Sequence, residues 1–212
     1  MLLKAEKVCF GYGKGILIED LSFSLKEGDI LLIKGPNGTG KTTLLKIILG
    51  VLKPIEGKVF YKGNDTSKIP VWKLVNMGVS YMPQEGLCFD SLSINETLKI
   101  ANVDHERTNN MIKQIKERLT THGIDKGERK TAVLSGGEKK LLSFLIAVSR
   151  DSDLIILDEP CSGLNNKFIE ICTQIIREKS LKGTAFIVVE HNPLFLRLIK
   201  ANKEINLNRR FM

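Results

Sequence analysis

The sequence of 212 residues contains no apolar run long enough to cross a lipid bilayer, which takes about 18 to 20 consecutive apolar residues. Its longest apolar runs, at 154–157 and 185–189, are short and predict buried strands instead. The N-terminal segment also lacks the extended apolar stretch of a secretion signal. We therefore expect a cytoplasmic protein. With 42% hydrophobic residues, the chain should bury a sizeable core.

Cysteine is scarce and is not arranged for metal binding or cross-linking. The four cysteines are scattered without a CxxC pair, which disfavours a zinc site or a disulfide framework. Like charges never form a run of five, although the formal net charge is +8. The lysines are spread out, as on an ordinary solvated surface. A basic surface also fits nucleic acid, anionic lipid or nucleotide, so these partners stay open on composition alone.

Internal repeats and low-complexity linkers are absent as well, so the order of predicted elements carries the information about fold. Short or alternating apolar stretches predict strands, whereas helical spacing and a Ser93-x-x-Glu96 capping box predict helices. The expected strands are 4–10, 21–25, 29–34, 58–61, 78–82, 154–157 and 185–189, and the expected helices are 42–49, 93–101, 111–121, 136–148, 168–179 and 193–199.

This order predicts an α/β fold. Strands that alternate with helices form a mostly parallel sheet with helices on its faces, here with an antiparallel β edge built from the first strands. The helical stretch in the middle of the chain is inserted between two parts of that sheet. We expect one domain over 1–212, in which 1–86 and 151–212 form the sheet core with its antiparallel edge and 87–150 form a helical subdomain.

A glycine-rich stretch between the strand 29–34 and the helix 42–49 has the spacing of a phosphate-binding loop. Residues 35–42 read GPNGTGKT and match G-x-x-x-x-G-K-[ST]. Glycines let the backbone wrap tightly and point several N–H groups at one anion, and the following helix adds the positive end of its dipole. Lys41 can reach the β- and γ-phosphates, and the Thr42 hydroxyl can ligate Mg²⁺. A plain glycine turn would not require Gly-Lys-Thr at this spacing.

Two carboxylates follow the apolar strand at 154–157. Asp158 and Glu159 would lie at the C-terminal edge of a parallel sheet, where the ligands of α/β proteins bind. Asp158 can hold Mg²⁺ through water, and Glu159 is placed to polarise a water that attacks the γ-phosphate. Without the glycine-rich loop upstream, the pair would indicate only an acidic turn.

Together with five further motifs in fixed order, these two make the chain resemble the nucleotide-binding subunit of an ATP-binding-cassette (ABC) transporter over nearly its whole length. LSGGE at 134–138 resembles the LSGGQ signature of that family, and SGLN at 162–165 resembles its D-loop. Gln84, His191 and Tyr12 resemble the Q-loop glutamine, the switch histidine and the aromatic residue that stacks on adenine. The segment 82–98 is most similar to branched-chain amino-acid importer ATPases, and lipopolysaccharide-export ATPases have a similar segment.

The resemblance implies a P-loop NTPase fold and hydrolysis of ATP with Mg²⁺ between two subunits that face each other around a two-fold axis. It implies catalytic roles for Glu159, His191, Lys41 and Gln84, and Mg²⁺ ligation by Thr42, Gln84 and Asp158. ATP would be bound by Tyr12, Asn37, Gly38, Thr39, Gly40, Lys41, Thr42 and Thr43, and from the facing subunit by Ser135, Gly136, Gly137 and Glu138. A serine and two glycines at a helix start do offer phosphate a hydroxyl, bare amides and a dipole end.

Three positions depart from the family pattern. Glu138 stands where glutamine is commonest in the signature, a change that other members share. Asn165 stands where the D-loop usually has aspartate, so a charge expected to serve communication between the two sites is absent. Ile146 occupies a position on the signature helix where arginine is common.

Because the sequence lacks membrane spans, the resemblance implies a separate membrane-spanning transporter subunit as partner. Its cytoplasmic helices would dock in a groove near Gln84 and the segment 85–98, with the chain peripheral on the inner face of the cell membrane. The ATPase partner would be a second copy or a related subunit, and no nucleic acid is expected. Two alternatives stay open: a soluble ABC-type ATPase acting on ribosomes or nucleic acid, or one serving iron–sulfur assembly. Ribosomal relatives carry two cassettes in one chain, and chromosome-maintenance relatives a long coiled coil, and neither feature is present.

Overall fold

The computed structural model describes residues 1–12, 15–101 and 130–207, which form two β-sheets with helices packed around them. The predicted helix at 111–121 lies outside the described residues. The strands are β1 Leu3–Tyr12, β2 Gly15–Leu25, β3 Ile30–Lys34, β4 Glu56–Tyr61, β5 Asn64–Asp65, β6 Val79–Met82, β7 Leu154–Asp158, β8 Ala185–Val189 and β9 Lys203–Asn206. The α-helices are α1 Lys41–Ile48, α2 Val71–Asn76, α3 Ile94–Ile100, α4 Gly136–Ser149, α5 Asn166–Leu181 and α6 Pro193–Leu198, with 3₁₀ turns at Thr66–Lys68 and Thr131–Val133.

The larger sheet is parallel and has the order β6-β7-β8-β3-β9. All five residues of β7 and of β8 are buried, as expected for central strands of a parallel sheet that is covered on both faces. Because the five strands run the same way, the loops that leave β3, β6, β7 and β8 emerge along one edge of the sheet. The glycine-rich loop at 35–42, Gln84, Glu159 and His191 lie along this edge.

The antiparallel strands form a sheet of their own, in the order β2-β1-β4-β5. Two register shifts interrupt the pairing of β1 with β2 between Ala5 and Phe10, so the ribbon bends and twists there. The predicted fold class, an α/β P-loop fold with a mostly parallel core and antiparallel β strands, is confirmed by this arrangement.

The core has two layers of apolar side chains, one on each face of the parallel sheet. Ile155 and Leu157 of β7 contact the layer that includes α3, α4 and α5, whereas Leu154 and Ile156 contact the layer of α1 and the antiparallel sheet. Successive side chains of a strand point to opposite faces, so one short apolar run serves both layers. The unbroken apolar runs at 154–157 in β7 and 185–189 in β8 are thereby explained.

The start of β3 is anchored to the segment before β9 by Asp29, which is buried. Its carboxylate accepts hydrogen bonds from the Lys26 N–H and the Asn202 amide at 2.7 Å each, and Lys203 Nζ lies 3.2 Å away. Burial alone would raise the pKa of Asp29, but these donors outweigh it and lower the pKa below its usual value. Asn202 also accepts from the Ile30 N–H at 2.8 Å, which closes the network.

Three elements were not predicted from the sequence: β5, α2 and β9. The polar strand β9, with sequence KEIN, pairs with β3 at the edge of the sheet and buries no complete face. The division into a sheet core and a helical subdomain over 87–150 stays a prediction, since 102–129 lie outside the described residues. Among the helices that the structure describes, none is both long and apolar enough to span a bilayer.

Candidate nucleotide-binding site

The glycine-rich loop joins β3 to α1 and leaves the first turn of α1 without a side-chain cap. Gly40 occupies the N-cap position with φ of 92°, a left-handed conformation that favours glycine, and a Cβ there would lie 2.7 Å from the ring of Phe10. No acidic side chain lies in the first turn. The N–H groups at this end therefore lack an intrahelical partner, and an anion can satisfy them.

Lys41 is buried and lies across the loop that precedes it. Its Nζ donates to the Gly35 carbonyl at 2.7 Å and to the Pro36 carbonyl at 2.9 Å. An ammonium group has three donors, so capacity for a phosphate oxygen remains after these two bonds. Thr39 is also buried, but its hydroxyl donates to the Pro36 carbonyl at 2.9 Å and so shapes the loop.

Thr42 and Asp158 meet across the sheet edge. The Thr42 hydroxyl donates to Asp158 Oδ2 at 2.8 Å, and the other carboxylate oxygen, Oδ1, is buried without a hydrogen-bond partner among the described residues. Burial raises the pKa of Asp158; the Thr42 bond opposes this shift, and the nearby charge of Glu159 adds to it. A buried carboxylate with one unpaired oxygen, beside a hydroxyl, has the hard oxygen donors that Mg²⁺ prefers. The residues therefore fit a Mg²⁺ ion.

Glu159 follows Asp158 and is held in an unusual backbone conformation. Its φ is 51°, which is uncommon for a residue other than glycine, and its N–H donates to the Val189 carbonyl at 2.9 Å. The side chain is largely buried and contacts two polar groups: Gln84 Nε2 donates to Oε2 at 3.2 Å, and His191 Nδ1 lies 3.9 Å from Oε1. Left-handed backbone at a non-glycine residue is a feature that concentrates at functional sites.

These groups surround one cavity of about 390 Å³. Nine residues line it, and each was predicted from the sequence to bind ATP, bind Mg²⁺ or act in catalysis. They are Asn37, Gly38, Gly40, Lys41, Thr42, Thr43, Gln84, Glu159 and His191. The cavity combines backbone N–H groups, one ammonium and one carboxylate, which suits a polyphosphate beside a hydrolytic water.

The predicted signature residues Ser135, Gly136, Gly137 and Glu138 do not line this cavity. Tyr12 is the last residue of β1, where its backbone pairs with Gly15, and its predicted stacking on adenine stays a prediction. Ser135 caps α4, and its backbone N–H and hydroxyl both donate to Glu138 Oε2 at 2.8 Å, which completes a capping box. Ser135 and Gly136 are exposed, so this helix start is open to a second molecule.

The structure gives reasons for two of the departures from the family pattern. Asn165 is the N-cap of α5 and accepts from the Phe168 N–H at 3.1 Å, a task that asparagine performs as well as aspartate. Ile146 is buried on α4 and lines an apolar groove against β6 and α3. Capping and apolar packing therefore account for these two side chains.

Sequence analysis missed Glu190, a buried carboxylate between two of the loops. Its Oε1 accepts from the Cys161 N–H at 2.9 Å, and its Oε2 accepts from the His191 and Asn192 N–H groups at 2.7 and 3.0 Å. The side chain thus joins the loop after β7 to the loop after β8. The available signal for Glu190 in the sequence was its charge directly before His191, the predicted switch histidine.

This chain is similar to known proteins over most of its length. The family model described as "ABC transporter" matches residues 18–162. A probable branched-chain amino acid transport ATP-binding protein, LivF, of Archaeoglobus fulgidus is 32% identical over 201 residues, which cover 90% of this chain and 82% of that protein. The lipopolysaccharide export ATP-binding protein LptB of Acidithiobacillus ferridurans is 27% identical over 198 residues, covering 90% and 80%.

Solved structures show the same fold. The ATP-binding subunit of an ABC transporter superposes with a TM-score of 0.80 at 22% identity, covering 100% of this chain and 89% of that chain. A dimeric ATP-binding cassette in a post-hydrolysis state with ADP and Pi superposes with a TM-score of 0.79 at 21% identity, covering 99% and 97%. With its glycine-rich loop, its paired carboxylates and a family match over most of its length, this chain belongs to the ABC transporter family, as one of its ATP-binding and ATP-hydrolysing subunits.

Proposed function

We propose that this chain hydrolyses ATP with Mg²⁺ at the cavity described above, and that two such subunits enclose two ATP molecules to drive a separate membrane subunit. One observation carries the proposal: residues from four loops, which leave β3, β6, β7 and β8, meet around a single cavity of about 390 Å³. No single sequence motif would by itself bring the other three loops to the same cavity.

The phosphates are bound by the loop before α1. The amides of Asn37–Thr43 surround the β-phosphate. Lys41, whose Nζ also donates to the Gly35 carbonyl, donates to the γ-phosphate. Thr42, Asp158 and Gln84 would hold Mg²⁺, which would neutralise charge on the phosphate oxygens. The short bond between Thr42 and Asp158 keeps these two ligands together before any ion arrives.

Glu159 is the residue that orients the attacking water. Its carboxylate lies at the wall of the cavity, and Gln84 and His191 restrict it from both sides. A general base positioned in this way contributes about 100- to 10,000-fold to the rate of a hydrolysis. His191, which lines the same cavity, donates to the γ-phosphate or to the water.

The second half of each site comes from the facing subunit. Ser135, Gly136 and Gly137 begin α4 with an exposed end, and they lie outside the cavity of their own chain. In our proposal their amides and hydroxyl approach the γ-phosphate of ATP bound to the partner, and Glu138 adds to these contacts, whereas Tyr12 stacks on the adenine bound to its own chain. Closure of the dimer therefore depends on nucleotide, and hydrolysis reopens it.

The membrane subunit docks on an apolar groove beside the same site. This groove, of about 340 Å³, lies between β6, α2, α3 and α4, and its lining includes Tyr81, Leu87, Phe89, Ile146 and Arg150. Phe89, which lines the groove, and Trp72, which belongs to the groove-lining helix α2, are 63% and 66% exposed, and exposed apolar surface around a groove is typical of an interaction site. Docking there would place the chain at the inner face of the cell membrane.

Glu159→Gln tests the hydrolytic role. The variant should bind ATP as the unaltered protein does, fall at least about 100-fold in turnover, and accumulate as an ATP-bound dimer. Phosphate release measures the turnover, and light scattering with and without ATP measures the dimer. Glu170→Gln, which makes the same change on the exposed face of α5, is the matched control. Unchanged hydrolysis by Glu159→Gln would refute the assigned role.

A pull-down from solubilised membranes tests the partner. Co-purification of a protein with many membrane spans is expected, and replacing Trp72 and Phe89 by serine should abolish it while ATP hydrolysis persists. Recovery of ribosomes or of iron–sulfur scaffold proteins in its place would contradict the proposed partner and favour one of the alternative classes.

A further inference from the structure

The segment that follows β6, residues 84–90, is fastened to α4 by three side chains that lie close together on that helix. Lys140 Nζ donates to the Gln84 carbonyl at 2.6 Å, Ser143 Oγ accepts from the Leu87 N–H at 2.7 Å, and Lys139 Nζ bonds to Asp90 at 2.7 Å. Residues 139, 140 and 143 share one side of the helix, since positions three and four apart are neighbours.

The contacts between this segment and α4 are close. Gly86 has φ of 87°, and a Cβ there would lie 2.7 Å from Ser143 Oγ. The Cys88 thiol donates to the Lys139 carbonyl at 3.5 Å from the same side. A shift of α4 along or across this contact would therefore carry the segment with it.

Lys140 differs from Lys139 and Ser143 because the residue that it binds lines the catalytic cavity. The carbonyl that it binds belongs to Gln84, whose side-chain amide donates to Glu159 at 3.2 Å. An unbroken chain of polar contacts therefore runs from α4, through Lys140 and Gln84, to Glu159. The hydrogen bond from an ammonium to a carbonyl is charge-assisted and short, and Lys140 is half-buried rather than free in solvent.

We propose that Lys140 is a positioning residue for hydrolysis: it sets the place of Gln84, and through it of Glu159, according to where its own helix lies. The start of α4 is the part of this chain proposed to meet the facing subunit. Lys140 therefore links the start of α4, which meets ATP of the facing subunit, to the ATP cavity of its own chain. Movement of α4 thereby changes the geometry at Glu159 within the same polypeptide. This inference rests on the roles proposed above for Gln84 and Glu159.

The test is steady-state ATP hydrolysis by Lys140→Met, which keeps the side-chain length and removes the donor. We expect kcat to fall about tenfold with KM for ATP unchanged, since the loop that binds the phosphates is untouched. Lys140→Arg, which keeps a donor, should recover most of the rate. Lys139→Met is the matched control: it removes the adjacent lysine and its bond to Asp90, but no contact to Gln84, and its kcat should stay within about twofold.

A double-mutant cycle separates positioning from general support of the fold. In a Gln84→Ala background the backbone carbonyl remains but the side chain that reaches Glu159 is gone, so Lys140→Met should cost no further activity. Equal losses for Lys139→Met and Lys140→Met, or independent effects of Lys140→Met and Gln84→Ala, would overturn the inference. If Glu159→Gln has meanwhile stopped turnover, the proposed function stands and only the link through Lys140 fails.

Discussion

Replacing Glu190 by glutamine tests the contribution of one buried carboxylate whose hydrogen-bond partners are all backbone N–H groups. The side chain is 3% exposed and accepts three hydrogen bonds, from Cys161, His191 and Asn192. Glutamine has a single acceptor oxygen, so its NH₂ group must face at least one of these N–H groups. Each hydrogen bond to a charged group contributes about 1.5 to 3 kcal/mol, and a donor left unpaired in the interior adds to the loss.

The lower cost of burying a neutral amide offsets part of that loss, so we expect Glu190→Gln to lower the free energy of unfolding by about 2 to 3 kcal/mol. Urea unfolding at neutral pH without nucleotide measures this value, with an unchanged m-value as the sign that only stability has changed. Glu170→Gln, on the exposed face of α5, should stay within about 0.5 kcal/mol of the unaltered protein. A loss below about 0.5 kcal/mol in Glu190→Gln would refute the view that this carboxylate ties the two loops together.

Three further predictions concern other parts of the chain. Asp29→Asn should lower the free energy of unfolding by about 1 to 3 kcal/mol near neutral pH. Because the pKa of Asp29 is lower in the folded than in the unfolded chain, this loss should be present above about pH 4 and should shrink as the pH falls through the folded pKa. Thermal melts measure it, and a difference that does not change with pH would contradict the prediction. Lys41→Ala should weaken ATP binding at least about tenfold in a fluorescent-nucleotide titration, and unaltered affinity would exclude its phosphate contact. Gly86→Ala should cost about 1 to 3 kcal/mol in urea unfolding, since its φ is 87°, and an unchanged midpoint would show that the segment can relax.

Much of the fold and of the cavity follows from local sequence signals. The strands β3, β7 and β8 are apolar except for Lys34 and Asp158 at the ends of β3 and β7, and the loop before α1 has a spacing that few structures other than a phosphate site require. The capping boxes at Ser93 and Ser135 mark the starts of α3 and α4 through side chains only three residues apart. These features could be predicted because each is encoded within one short stretch.

The parts that could not be predicted depend on contacts between distant stretches. The polar strand β9 exists because β3 offers it an unpaired edge, and its own sequence has no strand pattern. The two-residue strand β5 and the short helix α2, with Trp72 exposed, are too brief for periodicity to reveal. Lys140 and Glu190 appear in the sequence as ordinary charged residues, and only the folded chain shows that each meets a backbone group from another loop.

The sheet order has a consequence for how the protein is made. Strand β3, which leads into the phosphate-binding loop, leaves the ribosome long before its two neighbours in the sheet, β8 and β9. A nascent chain that has reached Gly183 therefore contains every residue of the loop but none of the strands that pair with β3. Until β8 and β9 have been synthesised, β3 lacks both of its neighbours in the sheet, so the phosphate-binding loop that follows it is not yet held in place.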